Sequence, residues 1–350
     1  MEDILGSELA SDYNFDVFEG PFTYPSGVKG PVGKNLVRAR KYFEFYRRCR
    51  LGGYRLAHIH APSHHFLANG VYVLLARLAG LKAALHLHGN DWDAFYVKAP
   101  WFKKLLIRVA LRPATRIFVL QKAWAERIRE LGRGNRVSVL PNMLPDRPRA
   151  SEAALREIRR SVGLAPDDFV ILLVGVGVAG RDKGIFDLLK AIPDIVREED
   201  CVRFVLAGAD EIPGQTAAAK RLIEEENIGK WIRILGDVER EDVLKLMDAA
   251  SVLLLPSYIE GMPMSILEAM RAGIPVVATP VGAIPDMIED GESGVLIRRA
   301  APEDITRAAL RLKRDVEFRR RIAEGGRKVF TERFDIAKGV EALGSAYREL

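Results

Sequence analysis

The chain of 350 residues has two cysteines, Cys49 and Cys201, far apart and in no pairing pattern. That excludes a disulfide scaffold and fits a reducing compartment. Long apolar runs are missing too. No stretch approaches the roughly 18 apolar residues of a membrane span, so no transmembrane helix is expected. The opening MEDILGSELASDY is acidic and broken by polar residues, so a signal peptide is not expected either. Histidine is scarce, and all six fall between His58 and His88. No motif or aromatic-interleaved basic stripe points to nucleic acid.

What is present is the composition of a soluble globular protein, long enough for two cores. The net charge of +6 conceals an asymmetry. Residues 1–150 hold 24 Lys and Arg against 12 Asp and Glu, and the remainder holds 29 against 35. A basic half beside an acidic half suggests an anionic partner for the first. A solvated basic surface is the plainer alternative.

Strand and helix patterns alternate along the chain, which implies doubly wound parallel sheets. Leu5–Tyr13 reads as a helix, Asn14–Glu19 as a strand and Pro21–Gly33 as a loop. Leu36–Arg50 reads as a basic amphipathic helix, suited to packing on a sheet or to an anionic membrane surface. Strands are expected at Arg55–His60, Ala83–His88, Arg116–Leu120 and Val137–Leu140. Helices are expected at Phe66–Ala79, Trp101–Leu111 and Ala123–Leu131. Three prolines in Pro141–Ala150 mark a linker. A second alternation begins at Phe169–Val174. The expected domains are 1–146, 147–334 and a terminal helix, 335–350.

The histidines allow several readings. Alternate strand residues share a face, so a metal site is conceivable. No accompanying Asp, Glu or Cys spacing selects a metal, and structural roles suffice for His58, His64, His65 and His86. Asp91-Trp92-Asp93 forms a D-x-D triplet, a weak metal signal in three residues. No metal is assigned.

The most informative stretch is Ser251–Ile297. Its pattern is strand, loop, helix, strand, short helix, strand. Glu260 falls just beyond a strand's carboxyl end, where open α/β sheets bind ligands. Glu268 lies inside the following helix. The amides near Met264 and Ser265 open that helix, a place suited to phosphate; Pro263 has no N–H to give.

These residues carry a resemblance. Pro256-Ser257, Glu260-Gly261, Leu267–Met270, Gly273 and Pro275–Thr279 resemble the E-x7-E donor site of retaining GT-B glycosyltransferases, the large group 1 family that includes bacterial polysaccharide and lipopolysaccharide enzymes. The resemblance implies two Rossmann-like parallel-sheet domains facing a cleft, and transfer of a sugar from a nucleotide-diphosphate donor, such as a UDP-sugar, without a metal cofactor. It implies that Glu260 holds the transferred sugar and Glu268 the ribose. By the same resemblance His88, in LHLHGND, faces the sugar, with His60 a second histidine at a strand end. Gly177 and Lys183 match the diphosphate-binding G-R-x-x-x-x-K-G, but the family arginine falls on Val178, and Arg181 is the candidate substitute. Gly236, Asp237 and Val238 match the turn that reads the base. The acceptor expected is a glycan or lipid-linked molecule, anionic in character, met in the cytoplasm or at the inner membrane face.

Two alternatives stand beside it. Residues 175–180 fit G-x-G-x-x-G, the fingerprint of an NAD(P)-dependent oxidoreductase. A catalytically silent sugar-nucleotide-binding protein would keep the same glutamates. The family's opening strand and glycine-rich loop have no counterpart before Asn14. The expectation is a chain that lacks its start, and hence an impaired enzyme.

Overall fold

The structure is a computed structural model, and it describes residues 13–18, 30–89, 92–175, 177, 180–210 and 214–350. The chain divides into two units, Met1–Pro141 with Gly339–Leu350, and Asn142–Lys338.

The first unit holds a four-stranded parallel sheet in the order β1 (Leu56–Pro62), β2 (Lys82–His88), β3 (Arg116–Val119), β4 (Val137–Val139). Strands in sequential order joined by right-handed crossovers place every connecting helix on one face. Those helices are Phe66–Leu78, Trp92–Val97, Trp101–Leu111 and Lys122–Ile128. On the opposite face His58, His60, His86 and Phe118 stack across the strands. Tyr347, on the final helix Ile336–Arg348, meets that face, its hydroxyl 2.5 Å from His58 Nδ1. Glu349 pairs with Arg116 nearby.

Two sequence expectations are corrected here. Residues 14–18 are irregular, so the strand expected at Asn14–Glu19 does not form over them. Side chains anchor this segment in place of a ladder. Asp16 bonds Tyr54 and Arg48, and Phe18 packs edge-on against Phe45 and Tyr72. The loop expected at Pro21–Gly33 already turns helical at Gly30, in a helix running Gly30–Leu51. Pro31 fits there, because first-turn N–H groups have no helical partner to lose. That helix packs inward through Tyr42 and Phe45, both edge-on to Tyr72, with the Tyr42 hydroxyl donating to Ala68 O at 2.9 Å. The helix expected at Leu5–Tyr13 lies outside the described residues except for Tyr13, which is irregular.

The second unit holds six parallel strands: β5 (Phe169–Val174), β6 (Val202–Ala207), β7 (Ile232–Gly236), β8 (Val252–Leu255), β9 (Val276–Ala278) and β10 (Val295–Leu296). Their order is β10-β9-β8-β5-β6-β7. The chain winds outward one way from β5 and the other way from β8, so the winding reverses between these neighbours. Near-continuous apolar sequence, FVILLV in β5 and VLLL in β8, suits strands buried on both faces. Helices Ile185–Glu198 and Pro302–Arg314 bury Leu188, Ile192, Ile195, Ile305 and Leu312 in the same core.

The segment after Pro141 is fastened to this second unit. Asn142 Nδ2 donates to Met262 O at 3.2 Å. Arg147 makes a two-pronged bond to the fully buried Asp248, 2.8 Å on each arm. Asp146 pairs with Arg327 at 2.6 Å.

Candidate active site

Ligands of open α/β sheets bind beyond the strands' carboxyl ends, where the winding reverses. In the second unit that place is defined by the segments following β5 and β8. Lys183 follows β5 and Glu260 follows β8, 77 residues later, and the fold joins them: Lys183 Nζ lies 2.8 Å from Glu260 Oε1. Ser257 Oγ donates to the same oxygen at 2.7 Å. Glu260 is 6% exposed, so its charge is held away from water by a cation and a hydroxyl.

Local chemistry explains the approach. Gly184 sits at φ 73°, and a Cβ there would lie 2.1 Å from Pro256 O. Only a residue without a side chain lets the turn carrying Lys183 press against the end of β8. Tyr258 closes the contact twice, its N–H donating to Asp182 O at 2.8 Å and its hydroxyl to Asp187 Oδ2 at 2.7 Å. Thr279, after β9, bonds Ser257 O through its hydroxyl.

Glu268 lies on helix Met264–Ala272, 1% exposed, and Arg240 pairs with it from the helix Arg240–Ala249. Helix Met264–Ala272 opens after Pro263 with no side-chain cap, so the first-turn amides of Met264 and Ser265 have no capping side chain. Gly236 ends β7 at φ 70° and accepts from Gly208 N at 2.7 Å; Asp237 follows, exposed, and Val238 half-buried. Gly177 N donates to Ala209 O at 2.8 Å. Arg181 opens a short turn, Arg181–Lys183; its side chain and Val178 lie outside the described residues, and so does any exchange of charge between them.

The structure gives the oxidoreductase alternative no support. A dinucleotide fingerprint runs straight into a helix. Here the glycine-rich segment passes into the turn Arg181–Lys183, and the helix begins only at Ile185.

In the first unit His88 ends β2, paired in register with Pro62. Its Nε2 lies 2.8 Å from His60 Nδ1. Burial pushes the His88 imidazole down to about 4; burial and the His88 ring do the same to His60. His58 and His86 are held well below the usual range, by burial first and by neighbouring imidazoles second. At neutral pH the four rings are uncharged. The side chains of His64, Trp92 and Asp93 lie outside the described residues, as does Asp91.

Sequence reasoning missed Arg240 and the Tyr258–Asp187 clasp. Arg240 stands 28 residues before Glu268, and no local spacing links the two. Ser257 was visible only as part of the quoted frame.

The fold and this cluster define a doubly wound α/β unit that presents a buried carboxylate, a lysine and a helix N-terminus without a side-chain cap beyond the carboxyl ends of its strands. The chain belongs to the group 1 glycosyl transferases: that family's profile matches residues 156–329, and the glycosyl transferase 4-like domain matches residues 17–143. It is 27% identical over 297 residues to a putative teichuronic acid biosynthesis glycosyltransferase, TuaC, of Bacillus subtilis, covering 83% of this chain and 69% of that one. It is 26% identical over 305 residues to the alpha-D-kanosaminyltransferase of Streptomyces kanamyceticus, covering 84% and 78%. Its fold is GT-B, shared with HepE of Anabaena, crystallised with UDP (TM-score 0.75, 20% identity, 92% of this chain and 85% of that one). The sucrose-phosphate synthase of Thermosynechococcus elongatus shares it as well (TM-score 0.72, 20% identity, 94% and 81%).

Proposed function

We propose that this glycosyltransferase moves a hexosyl group, with retention of configuration, from a nucleotide-diphosphate sugar to a glycan or lipid-linked acceptor. The carrying observation is the Lys183–Glu260 pair at the sheet's winding reversal. Transfer breaks the bond between the sugar's anomeric carbon and a phosphate oxygen. Positive charge grows on the sugar and negative charge on the departing diphosphate. Groups fixed in place before the reaction stabilise such charges at little reorganisation cost.

Lys183 supplies the positive charge for the diphosphate, joined by the amides of Met264 and Ser265 at the positive end of their helix. Gly177 lets backbone approach the same phosphates, and Arg181 is the second cation. A diphosphate draws Lys183 partly from Glu260, whose carboxylate then accepts bonds from sugar hydroxyls. Glu268 takes the ribose hydroxyls, with Arg240 beside it. Gly236, Asp237 and Val238 lie toward the base. His88, neutral at working pH, serves the transferred sugar as hydrogen-bond partner. These residues supply the charge stabilisation themselves, and the reading assigns no metal.

HepE has been crystallised with UDP-glucose, which makes UDP-sugars the first donors to try. The test is a thermal-shift and calorimetric screen of UDP-, GDP- and ADP-sugars against the wild type and Lys183→Ala. Stabilisation by one donor class, lost in the variant, is expected. Equal binding by the variant refutes the assignment. Donor binding without hydrolysis or transfer to any acceptor would instead identify a silent binding protein.

A further inference from the structure

Helix Trp101–Leu111 turns an apolar face to solvent. Its inward side is ordinary, with Ile107 and Leu111 fully buried. At about 100° per residue, the opposite side carries Phe102, Leu105 and Val109, with Trp101 on its flank. These are 54%, 51%, 47% and 77% exposed. Polar residues would be expected there. Two of the helix's cations lean the other way instead, Lys103 over the Phe95 ring at 4.2 Å and Lys104 toward Tyr96 at 5.7 Å.

The neighbouring helix Phe66–Leu78 extends the patch. The two helices touch where Gly70 meets Ala110, a Cβ on the glycine falling 3.0 Å from Ala110 Cβ. Leu74 lies one turn beyond Gly70 and Leu106 one turn before Ala110, so they flank this contact. Leu74, Leu78 and Leu106 are exposed as well. Isolated surface leucines are ordinary, but these seven exposed apolar side chains on two packed helices, a Phe and a Trp among them, mark an interaction surface.

Charge identifies the partner. From Ala94 to Ala125 there is no acidic residue, so no carboxylate of this stretch offsets the cations beside the apolar face. Arg108 and Arg112 are exposed on the same helix end. Apolar and indole side chains bordered by cations suit the boundary between headgroups and acyl chains of an anionic bilayer. A second copy of this chain suits it poorly, since a two-fold contact would set the same arginines against one another.

We propose that the outer face of helices Phe66–Leu78 and Trp101–Leu111 docks the protein on an anionic lipid surface. This inference is independent of the donor chemistry. It names a surface separate from the basic helix Gly30–Leu51, where Tyr42 and Phe45 pack inward and Leu36 and Phe43 are exposed.

The test is co-sedimentation of the full chain with phosphatidylcholine vesicles with and without phosphatidylglycerol, at rising salt. Binding should require phosphatidylglycerol and weaken with salt. The double variant F102E/L105E should bind at least about tenfold more weakly with an unchanged melting temperature, because both side chains already face water. Arg108→Gln and Arg112→Gln should each weaken binding roughly fivefold. Brominated lipid should quench wild-type fluorescence more than that of Trp101→Phe. No binding to anionic vesicles, binding unaffected by F102E/L105E, or a solution dimer that this variant dissociates would each overturn the proposal.

Discussion

Gly184→Ala tests whether the approach of the Lys183 turn to β8 builds the site. Gly273→Ala is its internal control. The two glycines share nearly the same left-handed conformation, φ 73° and φ 69°, but a Cβ at Gly273 meets nothing within 4 Å. The left-handed conformation alone costs a side chain about 1–2 kcal/mol. At Gly184 the Cβ would also stand 2.1 Å from Pro256 O, so the turn and the strand end must part by about 1 Å. Overpacking of that kind costs a further 1–3 kcal/mol or so. The expected loss is thus about 2–5 kcal/mol for Gly184→Ala and about 1–2 for Gly273→Ala. For a unit of this size each kcal/mol moves the melting temperature by roughly 2–4 °C. Displacing the turn also separates Lys183 from Glu260, so donor affinity should fall in Gly184→Ala and hold in Gly273→Ala. Calorimetry and donor titration on both variants decide the matter. Melting temperatures within about 2 °C of each other, or undiminished donor affinity in Gly184→Ala, refute the reasoning.

Glu268→Ala should weaken nucleotide binding by about 1.5–3 kcal/mol through lost charge-assisted bonds, whereas Glu260→Ala should lower turnover more than nucleotide affinity; titration with the nucleoside diphosphate and initial rates separate the two, and unchanged affinity in Glu268→Ala refutes the ribose role. The histidine ladder should make the protein acid-sensitive: His60 and His88 titrate at about 4 when folded and near 6.5 when unfolded, so the unfolded chain binds more protons and stability falls as pH drops from about 6.5 to 4. Discounted for solvent at His60, the loss is on the order of 1–3 kcal/mol, and a melting-versus-pH profile no steeper than that of His60→Gln/His88→Gln contradicts it. Asp248→Ala should destabilise the second unit by about 3–5 kcal/mol, because it strands Arg147; denaturant unfolding within 1 kcal/mol or so of wild type would show the pair to be dispensable.

The sequence made the second sheet legible because buried parallel strands are short apolar runs with clear stops, such as VLLL before Pro256. Lys183, Glu260 and Glu268 were legible through the spacing of a frame. Their partners were not. Which residue neutralises Glu260 depends on two strands becoming neighbours across the winding reversal, and Arg240 reaches Glu268 from a separate helix. The first unit was harder. NFDVFE alternates as a strand does, but its side chains find partners in Tyr54, Phe45 and Tyr72, and local pattern cannot foresee that competition. The six histidines were visible at once. That four form one stack depended on the register His60↔His86 and Pro62↔His88, which spacing within one strand cannot supply.

The final helix also sets an order of events during synthesis. Tyr347 meets His58 across 289 residues, and Glu349 meets Arg116 across 233. Translation at about 5–20 residues per second therefore separates the two sides of the first contact by roughly 15–60 s. Throughout that interval the histidine face waits without its tyrosine, and the second unit, a continuous segment, emerges with all its strands. The first unit to be made is the last to be completed. A nascent chain that has emerged through Lys338 but not Tyr347 should thus carry a finished second unit and an unfinished first one, with four neutral imidazoles still without Tyr347.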